Sequence, residues 1–415
     1  MKIKKQFDAI SDNERGVVLV TVLLLTAALI ILGTTGVMQT STDLKIGSNY
    51  RTGEEAFYAA EAGVQEARAR FRKNAVSYIN DGHPDSDQWR AYIGTDVKAK
   101  GKGYDSTNAM HIRALSIQTD LDYVVEIIHQ TDSSGNILYW GDSDGDGTSE
   151  RNTTTGQNIY LIESYGYSGT SAKQVTAEMT RIPPITVPGA LYVEDSTTIN
   201  GASTFISGYN ACGSTDNPGI ITTGNADDAD AIVNHSATIE GDPDIVYNGT
   251  NLDIQSMVNS VKDAHDFSYT VDSVTHTADT VPGPGDGWGT PTAGETQNDP
   301  SSCSTGSIVH YDTQDTYIKL SGGTSGCGIL VVEGDLELSG AFSWYGIIVA
   351  TGSITFTGGG PGDKNITGGI LSGASVDADT DTTISGGVSI VYCSSAVENQ
   401  TQNAPLKMLS WRDEM

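Results

Sequence analysis

Basic residues are scarce in this chain, which has 23 Lys and Arg against 52 Asp and Glu and a formal net charge of −29 over 415 residues. A surface of that charge repels nucleic acid and anionic lipid headgroups, so neither is expected to bind outside an apolar segment. Charged residues amount to only 18%, whereas glycine alone contributes 48 residues. Short runs of Val, Ile and Leu recur between the glycines, which favours β structure with many turns over disorder.

The signatures of common enzymes are also missing. There is no GxSxG, P-loop or dinucleotide fingerprint, and the seven histidines show neither HxxxH nor HExxH spacing. One acid pair, Asp335 and Glu337, would lie on a single face of a strand, where an acid and a base of a glycosidase are conceivable. A lyase acting on uronic acids also needs cations that neutralise the substrate carboxylate. Residues 184–397 contain no Arg, and their only Lys residues are Lys262, Lys319 and Lys364. We therefore expect a protein that is not an enzyme.

The four cysteines all lie in the C-terminal half and form no CxxC pair, which argues against a zinc ribbon or a thioredoxin-like site. An even number of cysteines in an exported chain favours two disulfides. The spacing leaves all three pairings open for Cys212, Cys303, Cys327 and Cys393.

One long apolar run, Val17 to Met38, dominates the N-terminus and holds 22 residues without a formal charge. As a helix rising about 1.5 Å per residue, it would cross the hydrocarbon core of a bilayer. Residues 1–16 precede it as a polar leader, whose four Lys and Arg against three Asp and Glu weakly favour a cytoplasmic location. A secretory signal loses its apolar core on cleavage. A cut after Gly16 would instead leave the mature protein with its helix.

The segments around this run follow one another in a characteristic order. They are Arg15-Gly16-Val17-Val18-Leu19-Val20, then Gly33, then Gly47-Ser48-Asn49-Tyr50-Arg51, then Ala56-Phe57-Tyr58-Ala59-Ala60-Glu61-Ala62-Gly63. Over residues 13–71 the chain resembles the N-terminal region of the PilX minor pilins of type IV pili. The resemblance implies that a prepilin peptidase cleaves between Gly16 and Val17, and that the helix then packs against other minor and major pilins.

One position departs from the major pilins. Counting from Val17, the fifth mature residue is Thr21, where major pilins carry a Glu that is thought to pair with a neighbour's N-terminal amine. Thr21 cannot supply that charge, and an unpaired buried charge is costly. The resemblance therefore implies a minor pilin that primes or tips a type IV pilus. It would be held in the inner membrane before assembly and displayed at the cell surface afterwards.

Three other interpretations stay open from the sequence. A plain membrane anchor would explain the apolar run alone. A GspK-like tip pseudopilin of type II secretion also lacks the charged fifth residue. A pilus-associated adhesin would use the C-terminal half as a binding module for surfaces or glycans.

The predicted fold class is α+β followed by all-β. Residues 17–75 should form the helix, loosened at Gly47 and Gly53, and residues 76–183 an antiparallel pilin sheet that begins with a polar loop over 76–110. The four β-rich runs that predict the sheet are 123–128, 137–140, 159–165 and 175–179. An apolar stripe on the second half of the helix should pack on this sheet, with the members Phe57, Ala60, Val64, Ala67 and Phe71.

Residues 184–395 repeat themselves. Segment 190–201 aligns residue by residue with 329–340, and from Gly328 further copies start at Gly346, Gly369 and Gly387, which are 18, 23 and 18 residues apart. A period near 20 with short strands favours a β-solenoid, with an ordinary β-sandwich as the alternative. Apolar residues in 251–269 have helical spacing, so a helix is expected there, inserted together with loops near 250–300. Residues 396–415 are expected to form a polar C-terminal tail.

The strongest local motif is Asp142-Ser143-Asp144-Gly145-Asp146-Gly147. Carboxylates at positions 1, 3 and 5 and a glycine at 6 suit Ca²⁺, with the Thr148 carbonyl at position 7 and Glu150 at position 9. Position 12 is Thr153 rather than the bidentate Glu of an EF-hand, and a solvated turn is the alternative. Elsewhere, contact surface for a partner is offered by four aromatic residues, unless they are core: Tyr139, Trp140, Trp344 and Tyr345.

Overall fold

The structure is a computed structural model. It describes residues 4–414 except for 74, 108, 116–120, 145–148, 229–230, 273, 277–287, 290, 292–301, 304–305, 322, 358–363, 374–381 and 386.

A single helix, α1, runs from Lys4 to Arg70 and is continuous through Gly47 and Gly53. It therefore ends five residues before the predicted boundary. The described side chains up to Tyr50 are all exposed, whereas the second half packs on a sheet. The predicted stripe is confirmed, because four of its members are fully buried and the fifth, Phe57, is half-buried: Ala60, Val64, Ala67 and Phe71.

Seven strands and a short helix follow α1. They are β1 (Arg90–Ile93), α2 (Asp96–Gly101), β2 (Met110–Ile112), β3 (Leu121–His129), β4 (Tyr139–Gly141), β5 (Glu150–Asn152), β6 (Gln157–Ser168) and β7 (Ser171–Thr180). Their main path is β2-β1-β3-β6-β7, antiparallel except for the parallel pair β1–β2. The four predicted strands are present. The prediction that residues 76–110 form a loop is wrong, since β1 and α2 lie inside this range. With four residues, β1 is too short to show the alternation of apolar and polar side chains that predicts a strand.

Two glycines allow α1 to approach this sheet closely. A Cβ added at Gly63 of the helix would lie 2.3 Å from Ser164 Oγ, and one added at Gly166 of β6 would lie 2.0 Å from the Ala56 carbonyl oxygen. Neither position therefore has room for a side chain. The small residues of the segment 56–63 thus serve close packing between helix and sheet.

The middle of the chain forms a second sheet, in which every described pairing is parallel. Its elements are β8 (Leu191–Val193), β9 (Thr197–Asn200), β10 (Phe205–Ser207), β11 (Ile220–Thr222), β12 (Ile232–His235), β13 (Thr238–Glu240), β14 (Ile245–Val246), α3 (Ile254–Lys262), β15 (Phe267–Thr270), β16 (Ser307–Ser321), β17 (Thr324–Ser339), β18 (Phe342–Ala350), β19 (Ile354–Thr357), β20 (Lys364–Ser372), β21 (Thr382–Ser385), β22 (Val388–Tyr392) and α4 (Ser394–Asn403). We refer to β8–β22 as the parallel sheet. The helix predicted within 251–269 is present as α3.

The predicted alignment of 190–201 with 329–340 is confirmed by the register of the parallel sheet. Leu191 and Leu330 lie in one column of stacked apolar side chains, and Ile199 and Leu338 lie in another. From one end to the other, the first column contains Phe267, Val309, Leu330, Ile348, Ile370, Leu191, Ile220 and Ile245.

Three glycines form a column of their own in the parallel sheet, and this column corrects part of the predicted repeat. Gly328, Gly346 and Gly368 are in register and have φ of 120°, 134° and 138°, a region that L side chains rarely adopt. A Cβ at Gly368 would also lie 1.9 Å from the Gly346 carbonyl oxygen. The predicted copies at Gly369 and Gly387 are therefore out of register: Gly369 pairs with Ile347, and Val388, next to Gly387, pairs with Lys364.

The strand order in space differs from the chain order. Strand β22, near the end of the parallel sheet in sequence, pairs with β20 and with β10, while β8 pairs with β20 and β11. One level of the sheet is thus shared by β22 and β8, which lie far apart in the chain. Strands β10–β14 extend beyond that level in one direction, and β15–β20 extend in the other.

The chain finally returns to the first sheet. Strand β23 (Lys407–Glu414) pairs antiparallel with β7, and Lys407 lies opposite Thr180. The prediction of a polar tail over 396–415 is therefore wrong, because these residues contain most of α4 and an edge strand of the sheet. We call β1–β7 with β23 the helix-packed sheet, and the parallel sheet is an insertion between its last two strands.

Candidate functional site

The N-terminal half of α1 is exposed along its described side chains, from Val17 to Tyr50. Between Val17 and Arg70 the helix contains a window that is apolar enough to cross a membrane, with a mean hydropathy of 2.8 and none of that window buried. The sequence-predicted residues Gly16 and Val17 lie on this helix. Such a helix of membrane-spanning length fits a membrane-anchored component.

Thr21 is bonded within its own helix. Its hydroxyl lies 2.9 Å from the Val18 carbonyl oxygen and 3.1 Å from that of Val17. A threonine hydroxyl satisfied in this way adds no charge and leaves the helix surface apolar. The arrangement is compatible with a lipid environment and offers no carboxylate for a neighbouring amine.

The acidic loop is brought together in part. Oxygen atoms of Asp142, Asp144 and Glu150 lie within 4.8 Å of one another, with the two aspartates exposed and the glutamate half-buried. Glu150 Oε1 also accepts a hydrogen bond of 2.9 Å from the Ser143 amide, which folds the loop back onto β5. The other two predicted ligands, Asp146 and Thr148, lie outside the described residues. A cluster of hard oxygen donors such as this fits Ca²⁺ in chemistry.

All four cysteines form disulfides, as predicted. Cys212 is bonded to Cys393 and Cys303 to Cys327. The first bond joins the loop after β10 to the residue that precedes α4, so it fastens the end of β22 to the chain segment of β10, the strand that pairs with β22. The second closes a shorter loop beside β17.

A buried ion pair, which the sequence did not reveal, joins α1 to the loops around the sheet. Glu66 and Arg70 are 7% and 3% exposed, and Arg70 Nε donates to Glu66 Oε1 at 2.6 Å. Glu66 also accepts from the Leu115 amide at 3.1 Å and from the Tyr123 hydroxyl. Arg70 reaches the Val76 carbonyl oxygen at 2.8 Å. The two buried charges are therefore paired with each other and hydrogen-bonded to neighbouring groups, as a buried ion pair requires.

A second unpredicted network lies under the loop that precedes β1. The Asp81 carboxylate is 2.9 Å from both His129 Nε2 and the Tyr160 hydroxyl, and the His129 ring stacks on Trp89. Burial raises the pKa of Asp81, but the bonds from His129 and Tyr160 outweigh burial and hold this pKa below its ordinary value. The signal in sequence is weak, since these residues are distant from one another along the chain.

A third network connects strands β15, β16 and β17 of the parallel sheet with α3. Ser268 Oγ lies 2.9 Å from His310 Nδ1, His310 Nε2 lies 2.8 Å from Glu333 Oε1, and Lys262 Nζ lies 2.9 Å from Glu333 Oε2. Burial lowers the pKa of His310, against the opposing effect of Glu333. The side chains tie α3, β15, β16 and β17 together.

Charged contacts also join the two sheets. Lys407 Nζ lies 2.8 Å from Asp263 Oδ2, and Arg72 pairs with Asp266, so both cations come from the helix-packed side and both acids from the parallel side. Arg68 adds a bond of 2.9 Å to the Leu406 carbonyl oxygen. Together these contacts fix the junction at which the chain returns to β23.

The remaining predicted residues have structural surroundings. Trp344 is fully buried and Tyr345 nearly so, so the prediction of a contact surface is wrong for these two residues. Tyr139 and Trp140 are half-buried. Asp335 accepts the Ser353 amide at 2.8 Å, and Glu337 pairs with Lys319. Both acids are thus bonded to neighbouring strands.

The comparisons with known proteins concern mainly the helix. Residues 15–65 match the family model of the PilX N-terminal region. A search of the curated proteins returns no match. Among solved structures, the chain is similar to the competence-associated pilin ComZ from Thermus thermophilus, with a TM-score of 0.23 and 12% identity over 88% of this chain and 97% of that chain. The family match and the exposed helix support a type IV pilin-like protein.

Proposed function

We propose that this chain is a minor pilin that primes or tips a type IV pilus and displays the parallel sheet outside the cell. The observation that carries the proposal is the match of residues 15–65 to the PilX N-terminal region, on a helix whose first half has no partner in the described chain. A helix with this much exposed apolar surface needs a membrane or neighbouring helices around it.

Two further observations support an end position in the filament. Thr21 has no charge to offer a neighbour's terminal amine, and its hydroxyl is bonded within α1. The parallel sheet is a bulky insertion between Thr180 and Lys407, at the edge of the helix-packed sheet. A subunit that carries such an insertion is easier to accommodate once, at a tip, than at every step of a helical shaft.

We further propose that the parallel sheet is a β-solenoid. Strands β17, β18 and β20 are in register at steps of 18 and 22 residues, with columns of buried Leu and Ile and a column of glycines, which is the pattern that stacked coils produce. The role proposed for it is structural rather than enzymatic, namely presentation of an extended outer surface.

The acidic loop is proposed to bind Ca²⁺ through Asp142, Asp144 and Glu150. The loop connects β4 and β5, and β4 pairs with β6, so a bound cation would fasten a hairpin of the helix-packed sheet. Asp146 and Thr148 would complete the ligands by the spacing of the motif.

The decisive experiment is mass spectrometry of the N-terminus of the chain recovered from sheared surface filaments. A peptide that begins at N-methylated Val17 is expected, and it should be absent from the variant Gly16→Ala and present in the matched control Gly33→Ala. An intact leader found only in membranes would contradict the proposal and leave a plain membrane anchor.

Deletion of the gene separates the related roles. Loss of surface pili supports priming. Intact pili with lost attachment would indicate an adhesin, and lost export of secreted enzymes would indicate a tip pseudopilin of type II secretion.

A further inference from the structure

One end of the parallel sheet is open. Strands β13 and β14 each pair with one neighbour, β10 and β11 respectively, and no strand among the described residues pairs with their other side. An open edge presents unpaired backbone donors and acceptors to any extended segment that approaches.

The apolar columns stop at this edge before their last members are covered. Ile206 and Ile220 are fully buried, whereas the next residues in their columns, Ile239 and Ile245, are half-buried. Both still pack against the core of the parallel sheet. One more strand on the edge would complete their burial and remove their remaining apolar surface from water.

Backbone groups at the edge have a definite direction. The Thr238 amide donates to the Thr204 carbonyl oxygen at 3.0 Å, and the Gly208 amide donates to Glu240 at 2.8 Å. Residues of a parallel strand alternate between its two sides. The N–H and C=O of Ile239, between these two, therefore face outward. The same alternation holds at Ile245, because the Ile220 amide donates to Asp244 at 3.0 Å.

The charge of this end is of one sign. Residues 182–261 contain ten Asp and Glu and neither Lys nor Arg. Asp242 and Asp244, between the two edge strands, are exposed, as are Asp227 and Asp228 in the loop between β11 and β12. A second copy of the chain would bring the same charge and be repelled, whereas a basic segment would be attracted.

We infer that this edge, strands β13 and β14, docks an extended Lys- or Arg-rich segment of a partner protein as an added β-strand. Backbone hydrogen bonds to Ile239 and Ile245 supply the pairing, and the surrounding carboxylates select for positive charge. The inference concerns the parallel sheet alone, so it holds whether or not the chain enters a pilus.

The test is fluorescence anisotropy with the full chain in detergent micelles. The probe is a labelled peptide of about ten residues with alternating Val and Lys, compared with the same peptide carrying Glu in place of Lys. The Lys peptide is expected to bind, more weakly as salt rises, and the Glu peptide not to bind.

Two variants locate the binding. Ile239→Pro with Ile245→Pro removes the outward donors but leaves the inward hydrogen bonds, and should weaken binding at least about tenfold. Asp242→Asn with Asp244→Asn keeps the backbone intact and should weaken binding and flatten its salt dependence. The matched control, Asp85→Asn with Asp87→Asn on the helix-packed side, should bind as the unaltered chain does.

Three results would overturn the inference. The first is that the Lys peptide fails to bind. The second is that it binds all variants and the control alike, which would indicate attraction to the overall charge alone. Sedimentation could instead reveal a dimer that Ile239→Pro with Ile245→Pro abolishes, which would assign the edge to a second copy.

Discussion

Thr180, where the chain leaves the helix-packed sheet, lies directly opposite Lys407, where it returns. The inserted segment that forms the parallel sheet is thus joined to the helix-packed sheet at both its N-terminal and its C-terminal residues, through two neighbouring strands rather than a single linker. Lys407 also pairs with Asp263 beside α3, so the point of return is itself a contact between the two sheets. Force or rotation applied to the parallel sheet would be transmitted to β7 and β23 together, and through β7 to α1.

Adding one methyl group at Gly63 should destabilise the helix-packed sheet. A Cβ there would lie 2.3 Å from Ser164 Oγ and 2.9 Å from a Val125 methyl carbon, and overpacking of this kind costs about 1–3 kcal/mol. Gly53→Ala is the matched control on the same helix, since its Cβ would meet no atom within 4 Å. It should be neutral or stabilising by up to about 1 kcal/mol. Chemical denaturation followed by circular dichroism measures both; equal effects would refute the packing argument.

Calcium should stabilise the chain through the acidic loop. At about one hundred times the dissociation constant, a ligand bound only to the folded state adds about 2.7 kcal/mol. Calcium should therefore raise the thermal midpoint, and chelation should make the β4–β5 region sensitive to protease. Asp142→Asn with Asp144→Asn should abolish both effects, while Asp85→Asn with Asp87→Asn should not. Stabilisation that survives the first double substitution would exclude this loop as the site.

Acid should loosen the edge at β23. Glu178 of β7 is bonded by Arg151 of β5 and by Ser410 of β23, and the bond with Arg151 is the main reason that the pKa of Glu178 lies below its ordinary value, against burial. A lowered pKa contributes stability that is present above the unfolded pKa of about 4.3 and is lost as pH falls through the folded pKa.

The expected result is a fall in the unfolding free energy as the pH drops below about 5, smaller in Glu178→Gln. Hydrogen exchange of the β23 amides should rise over the same interval. Because Asp81 also has a lowered pKa, Asp81→Asn provides the comparison at a distant site. The same pH dependence in Glu178→Gln as in the unaltered chain would contradict the assignment.

Removing the disulfide Cys212–Cys393 should weaken the junction of β22 with the first strands of the parallel sheet. Loss of a native disulfide commonly costs about 2–5 kcal/mol. In Cys212→Ser with Cys393→Ser, exchange protection should drop in β10 and α4, which flank the bond, while Cys303→Ser with Cys327→Ser leaves these segments protected. Unchanged protection in the first variant would show that strand pairing alone holds this junction.

The sequence by itself was sufficient for features that depend on local pattern. Spacing and residue type alone predicted the uncharged run from Val17, the apolar stripe on the second half of α1 and the four strands β3, β4, β6 and β7. The internal repeat also predicted the register of Leu191 with Leu330, because side chains stacked in one column share size and polarity.

Tertiary structure decided what depends on distant partners. The sequence predicts a polar tail where β23 lies, because these residues show little alternation of apolar and polar side chains. Only pairing with β7 makes them a strand. The choice of Gly368 over its neighbour Gly369 is set by the neighbouring carbonyl, which leaves no room for a Cβ. The pairing of Cys212 with Cys393 and the bonds of Glu66 and Asp81 likewise join residues far apart in sequence, which meet only once the strands near them have paired.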